Sequence, residues 1–269
     1  MKNNAEWYQT HTVAPGVTAI NENDMVTMYL IEGTRRALLL DTGWGIGNLV
    51  SLLPSLTDRP VTVMHTHGHI DHVSGAWQFG EVFLPCDDEP LFLQSYQEDE
   101  RRFHAKVMLS QFLGGDEAEQ WIRAKPVRIR PVAMDTVFDL GGRVIRMMPF
   151  PGHTRGSAVF LDEDSGLLFT GDSIGEGALW MHTVDAVPLD RYLASLQSLA
   201  EMRPKIKTLL PAHGRTPIDP AVIDEYRSGV QDILSGKLTG APTTNHAGDG
   251  LLCQFQENAI IYDPKKLRE

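Results

Sequence analysis

The chain has 269 residues, of which 42% are hydrophobic and 22% charged, and its formal net charge at pH 7 is −11. This length and composition predict an ordinary soluble globular protein with a sizeable core. Nucleic-acid-binding proteins usually present a basic face, and no Lys/Arg cluster here exceeds Lys265-Lys266 or Arg101-Arg102. The sequence therefore predicts no nucleic-acid partner.

The two cysteines, Cys86 and Cys253, lie far apart in the sequence. We expect free, buried thiols in a reducing compartment rather than a disulfide. Residues 1–10 show no apolar leader pattern, and no run approaches the ~20 apolar residues of a membrane span. These features predict a cytoplasmic protein with no membrane association.

Short apolar runs and turns dominate the first 85 residues. Runs separated by Gly, Pro and Asp predict strands, which fall at residues 17–20, 25–32, 36–40, 61–64 and 81–84. Leucines at helical spacing predict one helix over residues 47–56.

The pattern changes between Asp88 and Lys125, where the chain is charged and helical in period. Strand signals stop there, so we predict a helical insertion or lid at about 88–125, broken at Gly114-Gly115. Its aromatic side chains either pack the helices onto the body or line a substrate pocket, and the sequence leaves both readings open.

Strand signals return at residues 127–132, 137–140, 144–148, 158–161, 167–169 and 206–210. Helices are predicted over 189–202 and from Asp219, the N-cap, to a stop at Gly236. A strand hairpin at about 250–263 ends the chain. Strands and helices in two successive sets predict a layered α/β protein, organised as a single domain over residues 1–269.

The stretch from Thr66 to His72 carries an unusual density of coordinating groups: three imidazoles and a carboxylate within six residues. It follows the apolar run of residues 61–64. His67 and His69 are two residues apart and can chelate one cation, whereas the adjacent Asp71 and His72 can turn toward a second. All-N/O ligation suits Zn²⁺, with Mn²⁺ and Fe as competitors.

Four other segments share this pattern, in which an apolar run is followed by a polar residue within a turn that contains glycine. They contain Asp41-Thr42-Gly43, Pro151-Gly152-His153, Thr170-Gly171-Asp172 and Pro211-Ala212-His213-Gly214. Strand ends can all face one edge of a sheet, so these residues could converge on a metal site. Asp41 either supports that site or caps the next turn.

The motifs in this order resemble those of the metallo-β-lactamase-fold superfamily, whose signature is H-x-H-x-D-H. The resemblance runs from about residue 13 to 215. It implies a four-layer αββα sandwich with the metals at one edge of two sheets. It also implies two Zn²⁺ (or Mn²⁺ or Fe), and a metal-bridging hydroxide that attacks the substrate.

Carried over by motif, the resemblance assigns seven metal ligands. His67, His69 and His153 would bind the first ion; Asp71, His72 and His213 would bind the second; and Asp172 would bridge them. Asp71 could also act catalytically, by guiding the hydroxide or protonating a leaving group.

Three residues near these motifs need separate treatment. His65 could form a short chelate with His67, but that register breaks the signature, so we assign His65 to a supporting or core role. Trp180 and His182 follow Asp172 through a glycine-rich loop, and we predict that they contact substrate.

The ligand set favours one function among relatives of this fold. Class B β-lactamases typically use cysteine where Asp172 stands, so penicillin-type hydrolysis is disfavoured. The set is most similar to type II glyoxalases, acyl-homoserine lactonases and phosphodiesterases, and we predict hydrolysis of a small-molecule ester, lactone or thioester. The glyoxalases' basic C-terminal helical domain has no counterpart after Gly236, which makes a glutathione thioester doubtful.

Two alternatives stay open at this point. One is an oxidoreductase similar to persulfide dioxygenases, which hold a single iron with two His and one Asp. The other is a phosphodiesterase or nuclease, which the acidic balance of the chain disfavours.

Overall fold

A computed structural model describes residues 7–269. The chain divides into two compact units, the first formed by Met1–Ala133 and Phe138–Val144 and the second by Met134–Val137 and Ile145–Glu269. Each unit has its own sheet and helices. The organisation of the chain as a single domain stays a prediction.

Unit 1 is built on a seven-stranded sheet whose strands lie in chain order. The first four strands are antiparallel neighbours, and the remaining pairings are parallel. The strands are β1 (Tyr8–Ala14), β2 (Val17–Glu22), β3 (Val26–Glu32), β4 (Ala37–Leu40), β5 (Val61–Met64), β6 (Glu81–Pro85) and β7 (Arg128–Val132).

The parallel pair of β4 and β5 positions the polar residues that follow each strand. Leu40 is in register with Met64, and the amide of Asp41 donates to the Met64 carbonyl at 2.9 Å. Both strands therefore end at the same edge of the sheet, and their next residues, Asp41 and His65, lie side by side.

Two short helices of unit 1 belong to this edge. They are α1 (Leu49–Leu52) and α2 (Ile70–Val73). The sequence predicts one helix over 47–56, but the α-helix ends at Leu52 and continues as a 3-10 turn over Leu53–Ser55. Pro54 explains the difference, because it cannot donate the hydrogen bond that a continuing α-helix requires.

The charged stretch at 88–125 holds three helices: α3 (Glu89–Gln94), α4 (Glu98–Val107) and α5 (Gly115–Ile122). Phe92, Tyr96 and Trp121 are buried. The Tyr96 hydroxyl donates to the Val73 carbonyl at 2.9 Å and accepts from the Trp77 amide at 3.1 Å. These aromatic residues pack the helices against the segment that follows α2.

Unit 2 contains two sheets. In one of them β13, β11, β10 and β9 are neighbours in that order, and β11 runs parallel to β13. In the other the order is β12, β16, β15, β14. The strands are β8 (Val137–Asp139), on which the division between units falls, β9 (Val144–Pro149), β10 (Ala158–Asp162), β11 (Leu167–Gly171), β12 (Ala178–Met181), β13 (Thr208–Pro211), β14 (Ala241–Asn245), β15 (Gly248–Phe255) and β16 (Asn258–Tyr262).

The helices of unit 2 are α6 (Leu189–Glu201) and α7 (Ala221–Leu234), and their apolar faces supply the unit's core with Tyr192, Leu196 and Tyr226. Helix α7 begins at Ala221, and the Ala221 amide donates to the Asp219 carboxylate at 2.7 Å. The sequence places the N-cap at Asp219, but the N-cap residue is Pro220, which has no side chain that can cap; Asp219 precedes it and accepts from the first helical amide.

The chain ends in an antiparallel pair, β15 and β16, which β14 extends on one side. The sequence analysis does not predict β14. Its sequence, Ala-Pro-Thr-Thr-Asn, is polar and largely exposed, and a proline is tolerated there because β14 is an edge strand.

The structure bears on the expectations for the two cysteines and for membrane-spanning helices. Both cysteines are free, but Cys86 is exposed, contrary to the expectation of two buried thiols, because it lies in a surface 3-10 turn. Within residues 7–269 no helix is long and apolar enough to cross a membrane.

The contact between α7 and β15 yields a test of the unit 2 core. A Cβ on Gly229 would lie 2.6 Å from the Phe255 ring. Helix propensity alone favours Gly229→Ala by ~1 kcal/mol, but overpacking costs about 1–3 kcal/mol. We expect a net decrease in the free energy of unfolding, measured by urea denaturation. The control is Ser228→Ala, an exposed change one residue earlier in α7, which should be neutral or slightly stabilising. Equal effects of both changes would contradict the packing argument.

Candidate metal centre

Asp41 organises the ligand-bearing segment of unit 1. Its Oδ1 accepts from the Thr66 amide at 2.8 Å, and its Oδ2 accepts from the Thr66 hydroxyl at 2.9 Å and lies 2.9 Å from His72 Nδ1. Burial raises the pKa of Asp41, but the charge of His72 and the neighbouring His65 and His72 imidazoles outweigh burial and hold this pKa below its usual range. The carboxylate is therefore ionised and acts as an acceptor for the groups around it.

The bond to Asp41 sets the tautomer of His72. Because a carboxylate can only accept, His72 Nδ1 carries the proton and its Nε2 keeps a lone pair. Nε2 lies 3.6 Å from Asp71 Oδ2. One ligand-type atom of Asp71 and one of His72 thus lie close together at the start of α2.

The same reasoning applies to His67. The Thr66 hydroxyl gives its only hydrogen to Asp41, so His67 Nδ1, 3.0 Å away, donates to that oxygen. His67 Nε2 keeps its lone pair and lies 3.1 Å from His69 Nδ1. The two histidines therefore converge on one point, as the two-residue spacing predicts.

The insertion holds the glycine between these two histidines. The Gly68 amide donates to Asp88 at 2.8 Å, and the Gly68 carbonyl accepts from the Ser95 hydroxyl at 2.9 Å. A Cβ on Gly68 would lie 2.9 Å from backbone atoms of Asp88 and Phe92. The start of the insertion therefore fixes the backbone of the His67–His69 chelate.

Glu22 holds the loop that follows Asp41, a role that the sequence analysis missed. Its buried carboxylate accepts from the backbone amides of Trp44 and Ile46 and from the Trp7 indole. Burial raises the pKa of Glu22, while these hydrogen bonds lower it. A glutamate at the end of β2 carries no sequence signal for this role, because the backbone amides that donate to it include one 22 residues away.

In unit 2, His153 is oriented by a backbone carbonyl. Its Nδ1 lies 2.7 Å from the Trp180 carbonyl oxygen and must donate to it, which leaves Nε2 with a lone pair. The turn that carries His153 is closed by Ser157, whose side chain accepts from the Thr154 amide at 3.0 Å. His153 is 4% exposed.

Asp172 lies between two imidazoles. Its Oδ2 is 3.5 Å from His153 Nε2, and its Oδ1 is 3.3 Å from His213 Nε2. The parallel pairing of β11 with β13 explains this, since Asp172 and His213 each follow the end of a strand, and the Ala212 amide donates to the Gly171 carbonyl at 3.1 Å. Each oxygen of one carboxylate is thus directed to a different histidine.

These distances fit a metal site. Tetrahedral Zn–N and Zn–O bonds of about 2.0–2.2 Å separate neighbouring ligand atoms by roughly 3.3–3.6 Å. The four ligand-type pairs of the two units lie at 3.1, 3.3, 3.5 and 3.6 Å. Imidazole and carboxylate donors suit Zn²⁺, Mn²⁺ and Fe alike, so the donor set fits a metal without selecting one.

The predicted substrate contacts, Trp180 and His182, have structural partners of their own. His182 is buried, and its Nε2 lies 3.0 Å from the Asn245 side-chain oxygen. The Trp180 indole is half-buried and contacts His246 edge to face at 5.2 Å. Trp180 also binds His153 through its carbonyl, which residue type alone could not predict. Substrate contact stays a prediction.

His65 is fully buried, with Nδ1 3.7 Å from Asp41 Oδ1 and its ring 5.9 Å from that of Phe92. This position is consistent with the supporting role assigned to it.

Comparisons with known proteins define the family. The model of the metallo-beta-lactamase superfamily matches residues 22–213. A relative named acyl-coenzyme A thioesterase MBLAC2, from Bos taurus, is 29% identical over 78% of this chain and 82% of its own length. Hydroxyacylglutathione hydrolase GloC from Haemophilus influenzae is 24% identical over 61% of this chain and 71% of its own length. A solved metallo-beta-lactamase from Pontibacter korlensis aligns with a TM-score of 0.58 and 21% identity, covering 82% of this chain and 97% of that one.

The chain therefore belongs to the metallo-beta-lactamase superfamily and has its α/β fold. It is a hydrolase of that fold, with His and Asp groups that could hold a metal. The resemblance and the enzyme class expected from the motifs are confirmed.

The Asp41 contacts predict the behaviour of Asp41→Asn. Asparagine tolerates the left-handed backbone of this position, where φ is +67°, but its amide group cannot accept all three hydrogen bonds. We expect metal affinity to fall by ~10–100-fold with little change in secondary structure. Competition with a chromogenic chelator measures the affinity. Asp58→Asn, at an exposed aspartate, should leave it unchanged; equal affinities for all three proteins would show that Asp41 does not support the ligands.

The packing of Gly68 leads to a second test. In Gly68→Ala the new methyl group must displace the backbone of the insertion, so we expect a loss of ~1–3 kcal/mol in stability and weaker metal retention. Gly80→Ala is the matched control, because nothing lies within 4 Å of its added Cβ. Thermal unfolding measures the stability, and metal content after dialysis measures the retention. Normal metal retention in Gly68→Ala would show that the insertion does not hold the backbone between His67 and His69 in place for metal binding.

Proposed function

We propose that this protein is a dinuclear metal hydrolase that cleaves the thioester bond of a small acyl thioester. His67, His69 and His153 would hold one ion and Asp71, His72 and His213 the other, with Asp172 shared between them. The single observation that carries the proposal is the placement of Asp172, whose two oxygens are directed to His153 and His213 respectively.

The orientation of the imidazoles supports the ligand roles. His72, His67 and His153 each donate through Nδ1, to Asp41, Thr66 and the Trp180 carbonyl respectively. With Nδ1 as the donor, Nε2 of each ring is the nitrogen that would bind a metal ion. Such outer partners orient a ligand and raise its basicity before the ion arrives.

When bound, two ions would lower the pKa of a water molecule toward neutrality and polarise the acyl carbonyl. The residues of the chain provide the rest. Asp71 is 22% exposed at its side chain, so it can orient the attacking water or protonate the departing group. The thiol of a thioester has a pKa near 8.5 and leaves readily as a thiolate, which makes small demands on that acid.

The substrate class is supported by the relatives. The names of the bovine thioesterase and of the Haemophilus hydrolase both describe an acyl group carried on a thiol. The bovine relative is 29% identical to this chain and the Haemophilus relative 24%. Acyl-coenzyme A is therefore the first substrate to test, and a hydroxyacylglutathione is the second.

The shared role of Asp172 is tested by Asp172→Ala. Removal of a bridging ligand should lower thioester hydrolysis by at least the ~10–100-fold that loss of an outer partner costs. The metal content should fall from about two ions per chain, measured by mass spectrometry of the metal-loaded protein. Asp164→Ala, in the exposed turn between β10 and β11, serves as the control.

Three results, from that experiment and from metal, oxygen-uptake and substrate assays of the wild-type protein, would overturn the proposal. The dinuclear mechanism fails if Asp172→Ala retains wild-type activity. The hydrolase assignment gives way to an oxygenase if the protein holds one iron and consumes oxygen. Hydrolysis of lactones or phosphodiesters with no activity on thioesters would replace the substrate class.

A further inference from the structure

Unit 1 contains a cavity of about 360 Å³ that none of the seven ligand residues lines. Its wall comes from three segments: Gly45 and Ile46 in the loop after β4, Trp77 in the turn after α2, and Leu113, Trp121 and Ala124 of the insertion. The volume lies within the ~300–1,000 Å³ range of small-molecule sites.

The cavity wall is mainly apolar, although the buried Trp77 indole Nε1, which belongs to a lining residue, has no hydrogen-bond partner in the described part of the chain. The Trp121 indole N–H donates to the Trp44 carbonyl at 2.6 Å, and the Trp77 amide donates to the Tyr96 hydroxyl. Glu117 and Gln120 also line the cavity, whereas no Lys or Arg among residues 7–269 does so. An uncharged hydrocarbon is thus accepted, while a phosphate or carboxylate would meet no cation.

The wall is held in place from behind. The Arg101 guanidinium lies 3.9 Å from the Trp121 ring centroid, and Arg101 Nε donates to the Trp121 carbonyl at 2.8 Å. On the opposite side the Ile46 amide donates to the buried carboxylate of Glu22. A preformed cavity of this kind costs little ordering entropy when a ligand enters.

Two of the segments that line the cavity also carry Asp41 and the candidate ligand His72. The Thr42 amide donates to the His72 carbonyl at 2.9 Å, and the Gly75 amide donates to the Gly43 carbonyl at 3.1 Å. These two hydrogen bonds connect the loop after Asp41 with the turn after His72. Further along the same segments, Gly45 and Trp77 line the cavity. The lining residues Gly45 and Trp77 thus lie four and five residues after Asp41 and His72 respectively, on segments that hydrogen bonds hold together.

We propose that this cavity binds the acyl chain of the substrate, as an unbranched hydrocarbon of medium length. At ~30 Å³ for each water-sized group, the volume holds roughly ten methylene groups. This inference rests on the proposed function, because it places the hydrocarbon part of the thioester whose carbonyl would meet the metals.

The length of the cavity is tested with straight-chain acyl-coenzyme A substrates and the metal-loaded protein. Burial of each methylene should raise kcat/KM by roughly three- to fourfold, up to a limit near ten carbons. Ala124→Leu narrows the cavity and should move the optimum to shorter chains, whereas Leu113→Ala widens it and should move the optimum to longer ones. Shifts in opposite directions cannot arise from a general folding defect.

Two matched controls accompany these variants. Ala124→Ser keeps the volume at the same position, and Leu93→Ala removes an exposed leucine that does not line the cavity. Both should reproduce the wild-type chain-length profile. If Ala124→Leu also reproduces it, the acyl chain does not occupy this cavity.

Direct binding separates failure of this inference from failure of the proposed function. Titration of the metal-loaded protein with 1-decanol, followed by calorimetry, should show binding that Ala124→Leu weakens by at least tenfold, and decanoate should bind more weakly than 1-decanol. Decanol binding without any thioester hydrolysis would overturn the function and leave a hydrocarbon site. Thioester hydrolysis with no decanol binding and an unchanged chain-length profile would overturn the inference and leave the function.

Discussion

The buried carboxylate of Asp41 is the group on which the unit 1 half of the site depends. It accepts hydrogen bonds from the Thr66 backbone, the Thr66 hydroxyl and His72, and through Thr66 it also determines which nitrogen of His67 carries a proton. One ionised group therefore leaves a lone pair on two imidazoles. The arrangement exists because β4 and β5 are parallel neighbours, which brings residues 25 positions apart to the same edge.

Unit 2 uses the same principle with different chemistry. The parallel pair of β11 and β13 brings Asp172 beside His213, and a backbone carbonyl orients His153 where unit 1 uses a carboxylate. Parallel strands deliver their carboxyl ends to one edge, so polar residues at those ends meet without any local sequence relation. The two units thus present ligand-type residues after strand ends, and His67, His72 and His153 each have Nδ1 engaged by an oxygen atom.

The insertion takes part in both the site and the cavity of unit 1. Its first residues fix Gly68 between the candidate ligands His67 and His69, and Trp121 of its last helix and Ala124 just after that helix line the cavity. Arg101, fully buried between Tyr96 and Trp121, joins these two parts. Trp121 packs against Arg101 and also lines the cavity; that substrate enters this cavity stays a proposal.

The family, the enzyme class and the candidate ligands could be predicted from the sequence alone. H-x-H-x-D-H and the later turns are local patterns, and their imidazole and carboxylate groups are typical metal ligands. It also located the helical stretch from its period, but it missed β14, since an edge strand needs no apolar alternation. The groups that hold the candidate ligands in place by hydrogen bonds could be identified only from the tertiary structure. Glu22, Thr66, Ser95 and the Trp180 carbonyl act through hydrogen bonds whose partners are set by strand pairing and by loop packing. A serine hydroxyl or a backbone carbonyl has no signature of its own in a sequence, and its role appears only when folding brings its partner within 3 Å.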